Sequence, residues 1–595
     1  MDIDSRLPAT PESLSPAPPS CVRDVLGQDP PTASFERWRP SFHLQPLSGW
    51  MNDPCGPGFD PTTGLYHVSF QWNPRDNDWG DISWGHATSP DFVSWDLDPS
   101  PSLSPDKPYD HLGVFTGCFH ASDASPLTYV YTSVNSLPIH HTLPYKRGCE
   151  SLSIAISTDN GQTWTKHPSN PIIPSAPPDV EVTGWRDPFV SNNTLYGIIS
   201  GGIVNKTATT FLYTIDRSDF TKWEYLGPLV DVGLNMRPSR WSGDLGRNWE
   251  VTNFVTLHDS LDWHLTRDFI IMGTEGCIDA GGADPSEYAG ALKRPPRSKE
   301  ADQAGERKPV MDYSFGGYLD HGCYYAANSF FDPVTQSHIV WGWITEDDLS
   351  DTLRHQQNWS GMLSLPRRLQ LTSIRRVSRA WKSDITSITS VEAMPDGLGT
   401  YTVRTLTSIP DSRVVNRSRT RPGVRLLYLP PRPLEPSGTE VLAQEISSKT
   451  WELFCRIKVS RKCKKTGFRV GHRKDFSKET AIYFEPNTET FTIERPAFDT
   501  PDSALHINSA PETAAHTLFT TVDHASGETE TESLEIRVWR DNSVFEVFVN
   551  ERTAITTRIY AGDETVGLRF FADEEHEGDQ SLEAPTRLDH AVIWG

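Results

Sequence analysis

From about Trp38 onward the chain is written in short runs of period two, broken by Gly, Pro, Asp and Asn, and almost nowhere does it sustain an apolar period of 3.6. Leu65-Tyr66-His67-Val68-Ser69-Phe70-Gln71 is one such run. This pattern excludes a helical bundle and predicts a β fold. A loose internal repeat narrows it. Trp84 to Trp95 has alternating residues, then Ser89-Pro90-Asp91, then a closing tryptophan; Leu152 to Trp164 (with Ser157-Thr158-Asp159) and Phe211 to Trp223 (with Asp216 and Asp219) resemble it. The closing tryptophans fall roughly 60–70 residues apart, the length of a four-stranded propeller blade with generous loops. Ser-x-Asp followed by Trp is also ordinary hairpin composition, and three matches do not give a blade number.

At 595 residues the chain exceeds what one hydrophobic core usually organises, so two domains are expected. After Arg368 the aromatic density falls, and Arg-, Ser- and Pro-rich segments run to about Pro436. Period-two runs then return at Thr450–Ile457, Ala481–Phe484, Ser533–Trp539 and Ser543–Val549, predicting a β-sandwich. The division is therefore a disordered or draped extension over 1–36, a propeller over 37–375, an irregular linker over 376–435 and a sandwich over 436–595. The Gly-, Pro- and charge-rich insert between Ala280 and Pro309 reads as a mobile loop. Glu546, on an alternating strand, reads as solvent-facing.

Three carboxylates occupy settings too similar for ordinary turns. Asp53 lies in Gly49-Trp50-Met51-Asn52-Asp53-Pro54, with Phe70-Gln71-Trp72-Asn73-Pro74 one hairpin later and Trp79 and Trp84 nearby. Asp187 lies in Gly184-Trp185-Arg186-Asp187-Pro188, and Glu250 in Asn248-Trp249-Glu250-Val251. Proline restricts both its own φ and the residue before it, so an Asp before Pro is aimed in few directions. Flat indole faces beside carboxylates and amides suit a sugar ring. Alone, Asn-Asp-Pro is equally a turn in a Trp-rich core, and Arg-Asp-Pro a surface ion pair. A propeller gathers the innermost strands of all blades around one axis, where three such groups could meet.

These motifs, with Trp84-Gly85-His86-Ala87, Phe115-Thr116-Gly117 and Asp541-Asn542-Ser543-Val544-Phe545-Glu546-Val547-Phe548, resemble the glycoside hydrolase group of invertases, inulinases and fructosyltransferases. The resemblance runs from about Trp38 to the C-terminus. It implies a five-bladed β-propeller followed by a C-terminal β-sandwich, with Asp53 as nucleophile, Glu250 as acid/base and Asp187 binding fructosyl hydroxyls and stabilising the transition state. It places Asn52, Gln71, Trp79, Phe115 and Thr116 around the fructosyl unit, and Glu275 on the acceptor side as in fungal members. Arg186 beside Asp187 could keep that carboxylate ionised. Two departures stand out: Cys55 where Asn is usual, and Trp249-Glu250-Val251 for the commoner Trp-Glu-Cys-Pro, as in the fungal fructosyltransferase and intracellular invertase-like branch. Cys55 would change the wall beside the nucleophile and favour transfer over hydrolysis.

Retaining cleavage needs an ionised nucleophile and a protonated acid, roles that fall to Asp and Glu in differing surroundings. The reading is a retaining β-fructofuranosidase that releases glucose from sucrose and passes fructose to sucrose, fructo-oligosaccharides or water. A plain invertase or fructan hydrolase, a pentose-cleaving propeller hydrolase and a non-catalytic sugar-binding propeller are the alternatives. No cofactor and no metal site is expected, since no His pair has ligand spacing and no phosphate loop follows a strand. With 55 basic against 78 acidic residues, the net charge of −23 disfavours nucleic acid and anionic membrane as partners; a homo-oligomer stays open. Met1 to Pro31 has no apolar run of signal-peptide length, so a cytoplasmic location is expected. Eight scattered cysteines then stay thiols, and sequons such as Asn205-Lys206-Thr207 and Asn416-Arg417-Ser418 are read as chance matches.

Overall fold

The computed structural model describes residues 33–122, 125–191, 196–278, 286–293, 310–436, 438–442, 449–497, 503–561, 566–575 and 584–595. The reading of 1–32 as an extension and most of the reading of the 280–309 insert lie outside the described residues. Within the insert, Ser286–Lys293 is a strand, not a loop, paired on one side with Thr266–Glu275 and on the other with Asp312–Asp320. Its sequence is rich in Ala and Gly and carries little β propensity of its own. Two flanking strands supply the ladder, and Tyr288, Ala291 and Leu292 are buried by it. Ala33–Arg37, at the end of the expected extension, is a short helix.

The rest is almost wholly strand, as the period-two runs predict. Up to residue 410 the strands form five antiparallel sheets in chain order, opened by Gly49–Asp60, Gly113–Ser122, Val182–Val190, Asn248–His258 and Tyr324–Asp332. Trp95, Trp164 and Trp223 each stand just before or at the start of the outermost strand of their sheet, so the repeat marks a real structural unit. The five opening strands touch one another in a cycle, the last against the first, as in a propeller.

The cycle is closed by Trp359–Leu363. Trp359 and Ser360 pair in parallel with Gly49 and Trp50 of the first sheet, and Met362 and Leu363 pair with Ser337–Ile344 of the fifth. Gly361 between them has φ +79°, and a Cβ there would sit 2.1 Å from the Met51 carbonyl oxygen, so no other residue fits. The stretch 376–435 is more regular than its composition suggests. Arg367–Arg379 runs on into it and pairs with Tyr401–Pro410, which pairs with Glu392–Pro395; a helix follows at Ser412–Thr420.

The C-terminal part is a sandwich of two antiparallel sheets. Leu453, Ile457, Ile536, Val538, Val547 and Ile555 from one sheet meet Phe468, Val470, Ile482, Phe491 and Phe570 from the other in one core. Among the described residues no helix is long and apolar enough to cross a membrane.

Glu546 corrects the solvent-facing expectation: it is fully buried. Its sheet packs one face on the sandwich core and the other on the propeller, so period two there separates two interiors. Glu546 accepts from Arg367 Nη2 at 2.6 Å, from Leu365 N–H at 2.7 Å and lies 3.1 Å from His43 Nε2. Arg367 Nη1 reaches Asp320 at 2.8 Å, and Asp541 accepts from the Ser41, Phe42 and His43 amides. Burial works against the His43 charge, but Asp541 and Glu546 outweigh it and raise the imidazole to about 9. Glu546→Ala leaves Arg367 and His43 short of a buried partner, so a loss of roughly 3–5 kcal/mol is expected in denaturant unfolding. A loss under about 1 kcal/mol would show that the clamp is not a major determinant of stability.

Candidate active site

All five opening strands break register at the same level. The ladder skips Asn52 and Asp53 in the first, Thr116 in the second, Asp187 in the third, Val251 and Thr252 in the fourth, and Ala326 and Ala327 in the fifth. A bulge re-aims a side chain and frees backbone groups. Two buried asparagines collect freed carbonyls: Asn328 Nδ2 donates to Pro54 O at 3.1 Å and Gly117 O at 2.9 Å, and Asn253 Nδ2 to Val251 O at 2.8 Å and Ala327 O at 3.0 Å. Asp187 (φ +60°), Val251 (+45°) and Ala326 (+54°) adopt left-handed backbone. For a β-branched valine this is strained. It is held in place by its amide, which donates to Asp187 Oδ2 at 3.0 Å.

Around Asp53 the expected amides and hydroxyl are in place. Asn52 Nδ2 donates to Asp53 Oδ1 at 3.2 Å, Gln71 Nε2 to Oδ2 at 3.3 Å, and Thr116 Oγ1 to Oδ2. Asn52 also donates to Gln71 Oε1 at 3.0 Å, so these residues form one network. Trp79 and Phe115 meet edge-to-face at 5.8 Å between ring centroids; Trp79 is 38 % exposed, a ring standing at the surface.

Arg186 is the second focus. Its Nε and Nη2 reach Glu250 Oε1 at 3.0 and 2.5 Å, Nη1 reaches Glu150 at 3.1 Å, Nη2 reaches Glu275 at 3.3 Å, and Nε lies 4.0 Å from Asp187. Tyr325 OH donates to Glu250 Oε2 at 2.7 Å. Asp187 and Glu275 are buried, whereas Asp53 and Glu250 keep part of their surface open.

Burial pushes the Asp53 carboxyl up, Thr116 and Asn52 pull it back, Glu250 adds to the rise, and the result is about 7. Burial drives Asp187 well above the usual carboxylate range against the opposing Arg186 charge. Glu250 is also raised, by burial and by Glu275, with Arg186 and Tyr325 opposing. Glu275 goes the other way: burial is outweighed by His141, Arg186 and Asn248, and the carboxyl falls to about 2. One centre thus holds a firmly ionised carboxylate beside three that take up protons readily, a set suited to acid/base work.

The structure therefore brings Asn52, Asp53, Gln71, Thr116, Arg186, Asp187, Glu250 and Glu275 together from different sheets. Sequence reasoning missed Glu150, Tyr325 and His141. Glu150 opens a strand with no motif around it, and Tyr325 lies in an unremarkable Tyr-Tyr-Ala-Ala run. Cys55 behaves differently from expectation. It is fully buried in an apolar cluster with Trp84, Val114, Phe119 and Tyr129, with its Sγ 3.5 Å from the Asp53 carbonyl oxygen, so it backs the strand that carries Asp53 instead of lining an open wall.

With the geometry in place, comparison with known proteins is informative. The model of the glycosyl hydrolases family 32 N-terminal domain matches residues 43–379, and that of the family 32 C-terminal domain matches 431–586. The chain is 29 % identical over 376 residues to the acid beta-fructofuranosidase of Solanum lycopersicum, covering 60 % of this chain and 55 % of that protein. It is 27 % identical over 402 residues to a fructan 1-exohydrolase of Triticum urartu, covering 64 % and 60 %. The chain thus spans little more than half the length of these curated relatives. Among solved structures, the beta-fructofuranosidase of Aspergillus kawachii complexed with glycerol superposes with a TM-score of 0.79 at 25 % identity over 98 % of both chains. The fructosyltransferase of A. japonicus superposes with a TM-score of 0.81 at 24 % identity over 98 % of both, a likeness of fold.

The ion-pair arrangement makes a checkable claim on stability. Arg186 lowers Asp53, Asp187 and Glu250, so replacing it raises all three further in the folded state. A carboxyl raised on folding adds stability at low pH, and that stability is lost as pH rises through the folded value. Arg186→Leu should therefore lose stability increasingly from pH 5 to pH 8, reaching on the order of 3 kcal/mol. Denaturant midpoints of the variant and wild type across that range test this. A gap that is the same at both ends would assign Arg186 to packing.

Proposed function

The chain belongs to glycosyl hydrolases family 32, and on that premise we propose that it is a retaining β-fructofuranosidase acting on sucrose and short fructans. The observation that carries the reading is the convergence of Asp53, Asp187 and Glu250, from three different sheets, around Arg186. We read the five sheets as five blades and 37–375 as the catalytic domain.

In this reading Asp53 attacks the anomeric carbon of the fructosyl unit and Glu250 gives a proton to the departing glucosyl oxygen. The anomeric C–O bond breaks and a fructosyl ester forms on Asp53. Glu250, now ionised, takes a proton from the incoming water or sugar hydroxyl, which attacks the ester and frees Asp53. Thr116 and Asn52 favour the ionised form that the first role needs, working against the burial that raises Asp53 to about 7. The raised carboxyl of Glu250 supports the second, because an acid must hold its proton near neutrality. Asp187 is buried beside both and suits two ring hydroxyls, with Trp79 and Phe115 offering aromatic surface nearby.

Water and a second sugar compete for the same ester, so the product ratio follows from the acceptor side and from sugar concentration. Incubation with concentrated sucrose, with free glucose, free fructose and oligosaccharides measured separately, tests the whole reading. Glucose in excess over fructose, with oligosaccharides, means transfer; equal amounts mean a plain invertase; neither sugar means that the sucrose reading is wrong. Glu250→Ala should slow sucrose cleavage roughly 10²–10⁴-fold while sparing the first step for a fructoside with a very acidic leaving group. Equal loss on both substrates would remove Glu250 from the acid role.

A further inference from the structure

The loop between the second and third strands of the second sheet carries His140 and His141 to the edge of the carboxylate centre, against Glu275 at the end of Thr266–Glu275 in the fourth sheet. One potential ligand atom from each of the three lies within 4.8 Å of the others. We propose that His140, His141 and Glu275 form a binding site for one Zn²⁺ ion, and that the bound ion closes the acceptor side of the centre.

Glu275 is oriented for such a role. Its Oε2 accepts from Asn248 Nδ2 at 2.7 Å and from Arg186 Nη2 at 3.3 Å, which turns Oε1 toward His141 Nδ1, 3.5 Å away. That separation is close to the edge of a tetrahedron with metal–ligand bonds of about 2.0–2.1 Å. The donors on Oε2 act as an outer layer that fixes the ligand oxygen. His140 Nδ1 is paired at 2.6 Å with Thr142 Oγ1, which fixes the orientation of its ring in the same way. Gly276, at φ +72°, clears space for the second histidine: a Cβ there would lie 3.0 Å from His141 Nε2.

The charge favours a cation. Arg186, the guanidinium nearest Glu275, is shared with Glu150 and Glu250, in a protein of net charge −23. Two imidazoles and one carboxylate, with a fourth position left for water, suit zinc, whereas Mg²⁺ and Ca²⁺ demand oxygen ligands. The spacing of the histidines in the chain gives no hint of this, because the third ligand comes from another sheet. The site itself is independent of the proposed reaction. Only the blocking of the acceptor rests on that reading, since a metal on Glu275 Oε1 stands where a sugar hydroxyl would approach.

Isothermal titration of Zn²⁺ into the full-length, chelator-treated protein tests the site directly. One site per chain is expected, with no comparable heat from Mg²⁺. His140→Ala and His141→Ala should each weaken zinc binding by at least about tenfold, with circular dichroism and melting curves showing that the variants stay folded. No zinc binding by the wild type, or unchanged affinity in both variants, overturns the proposal. In the sucrose assay, Zn²⁺ should inhibit the wild type, whereas His140→Ala should keep its basal turnover and resist the metal. Zinc bound at full occupancy without any change in turnover would overturn the closing of the acceptor side while leaving the site itself in place. Because the titration needs no substrate, a protein inactive on sucrose would still give a clear result.

Discussion

A β ladder broken at one level in five neighbouring strands must find other partners for the backbone groups it frees, and the architecture of the centre follows from that constraint. Buried carbonyls cannot stay unpaired without a cost of about 1–3 kcal/mol each. Asn328 bridges the first and second sheets and Asn253 the fourth and fifth, so the same two amides that satisfy the bulges also tie neighbouring sheets together. Ser329 in turn donates to Asn253 Oδ1 at 2.8 Å through its hydroxyl, so that the amide is itself held from the fifth sheet. Because the breaks coincide, the side chains they re-aim converge. Asp53, Thr116 and Asp187 are themselves skipped residues, and Glu250 is the last paired residue before its break.

Convergence of carboxylates creates an electrostatic problem that Arg186 only partly solves. One guanidinium faces Glu150, Asp187, Glu250 and Glu275, with Asp53 nearby. Full ionisation of all of them would leave a strongly negative buried cluster. The shifts show how the cluster relaxes: Glu275, with His141 and Asn248 as further partners, stays ionised, while Asp53, Asp187 and Glu250 move toward protonation. The proton that an acid catalyst needs is thus a consequence first of burial, and then of negative charge crowded around too little positive charge. What distinguishes Asp53 is the kind of donor it has: the neutral side chains of Thr116, Asn52 and Gln71, where Glu250 and Glu275 each take a hydrogen bond from the Arg186 guanidinium.

How much of this was legible depended on whether a local pattern carried the information. Asp53 and Asp187 were readable because proline after Asp limits the backbone at the point where the ladder breaks. Trp95, Trp164 and Trp223 were readable because the first three sheets end the same way. Glu150 and Tyr325 were not, since each matters only through a partner on another sheet, Arg186 or Glu250. Glu546 was misread because alternation tells one face of a strand from the other but not whether the second face meets water or another domain. Ser286–Lys293 was hidden by its small residues, whose strand state is imposed by the neighbours on both sides. Cys55, next to a key proline, was read as part of an open wall because its neighbours in sequence do not reveal that it is buried in an apolar cluster behind Asp53.

The same logic explains why a sandwich packed on the far side matters to the centre. The ring closes where Trp359 and Ser360 pair with Gly49 and Trp50, only a few residues before Asn52 and Asp53. A seam of two residue pairs is weak by itself. It is reinforced by Gly49 N–H donating to Asn358 O at 3.1 Å and by Leu363 N–H donating to Leu44 O at 2.9 Å, the second of which depends on the 38–48 segment lying along the seam. That segment is pinned by Asp541, which accepts three of its backbone amides, and by His43 between Asp541 and Glu546. Glu546 continues through Arg367 to Asp320, reaching the fifth and fourth sheets. The buried charges therefore join the two sides of the seam through the sandwich. The position of Asp53 rests on a chain of contacts that begins in the other domain.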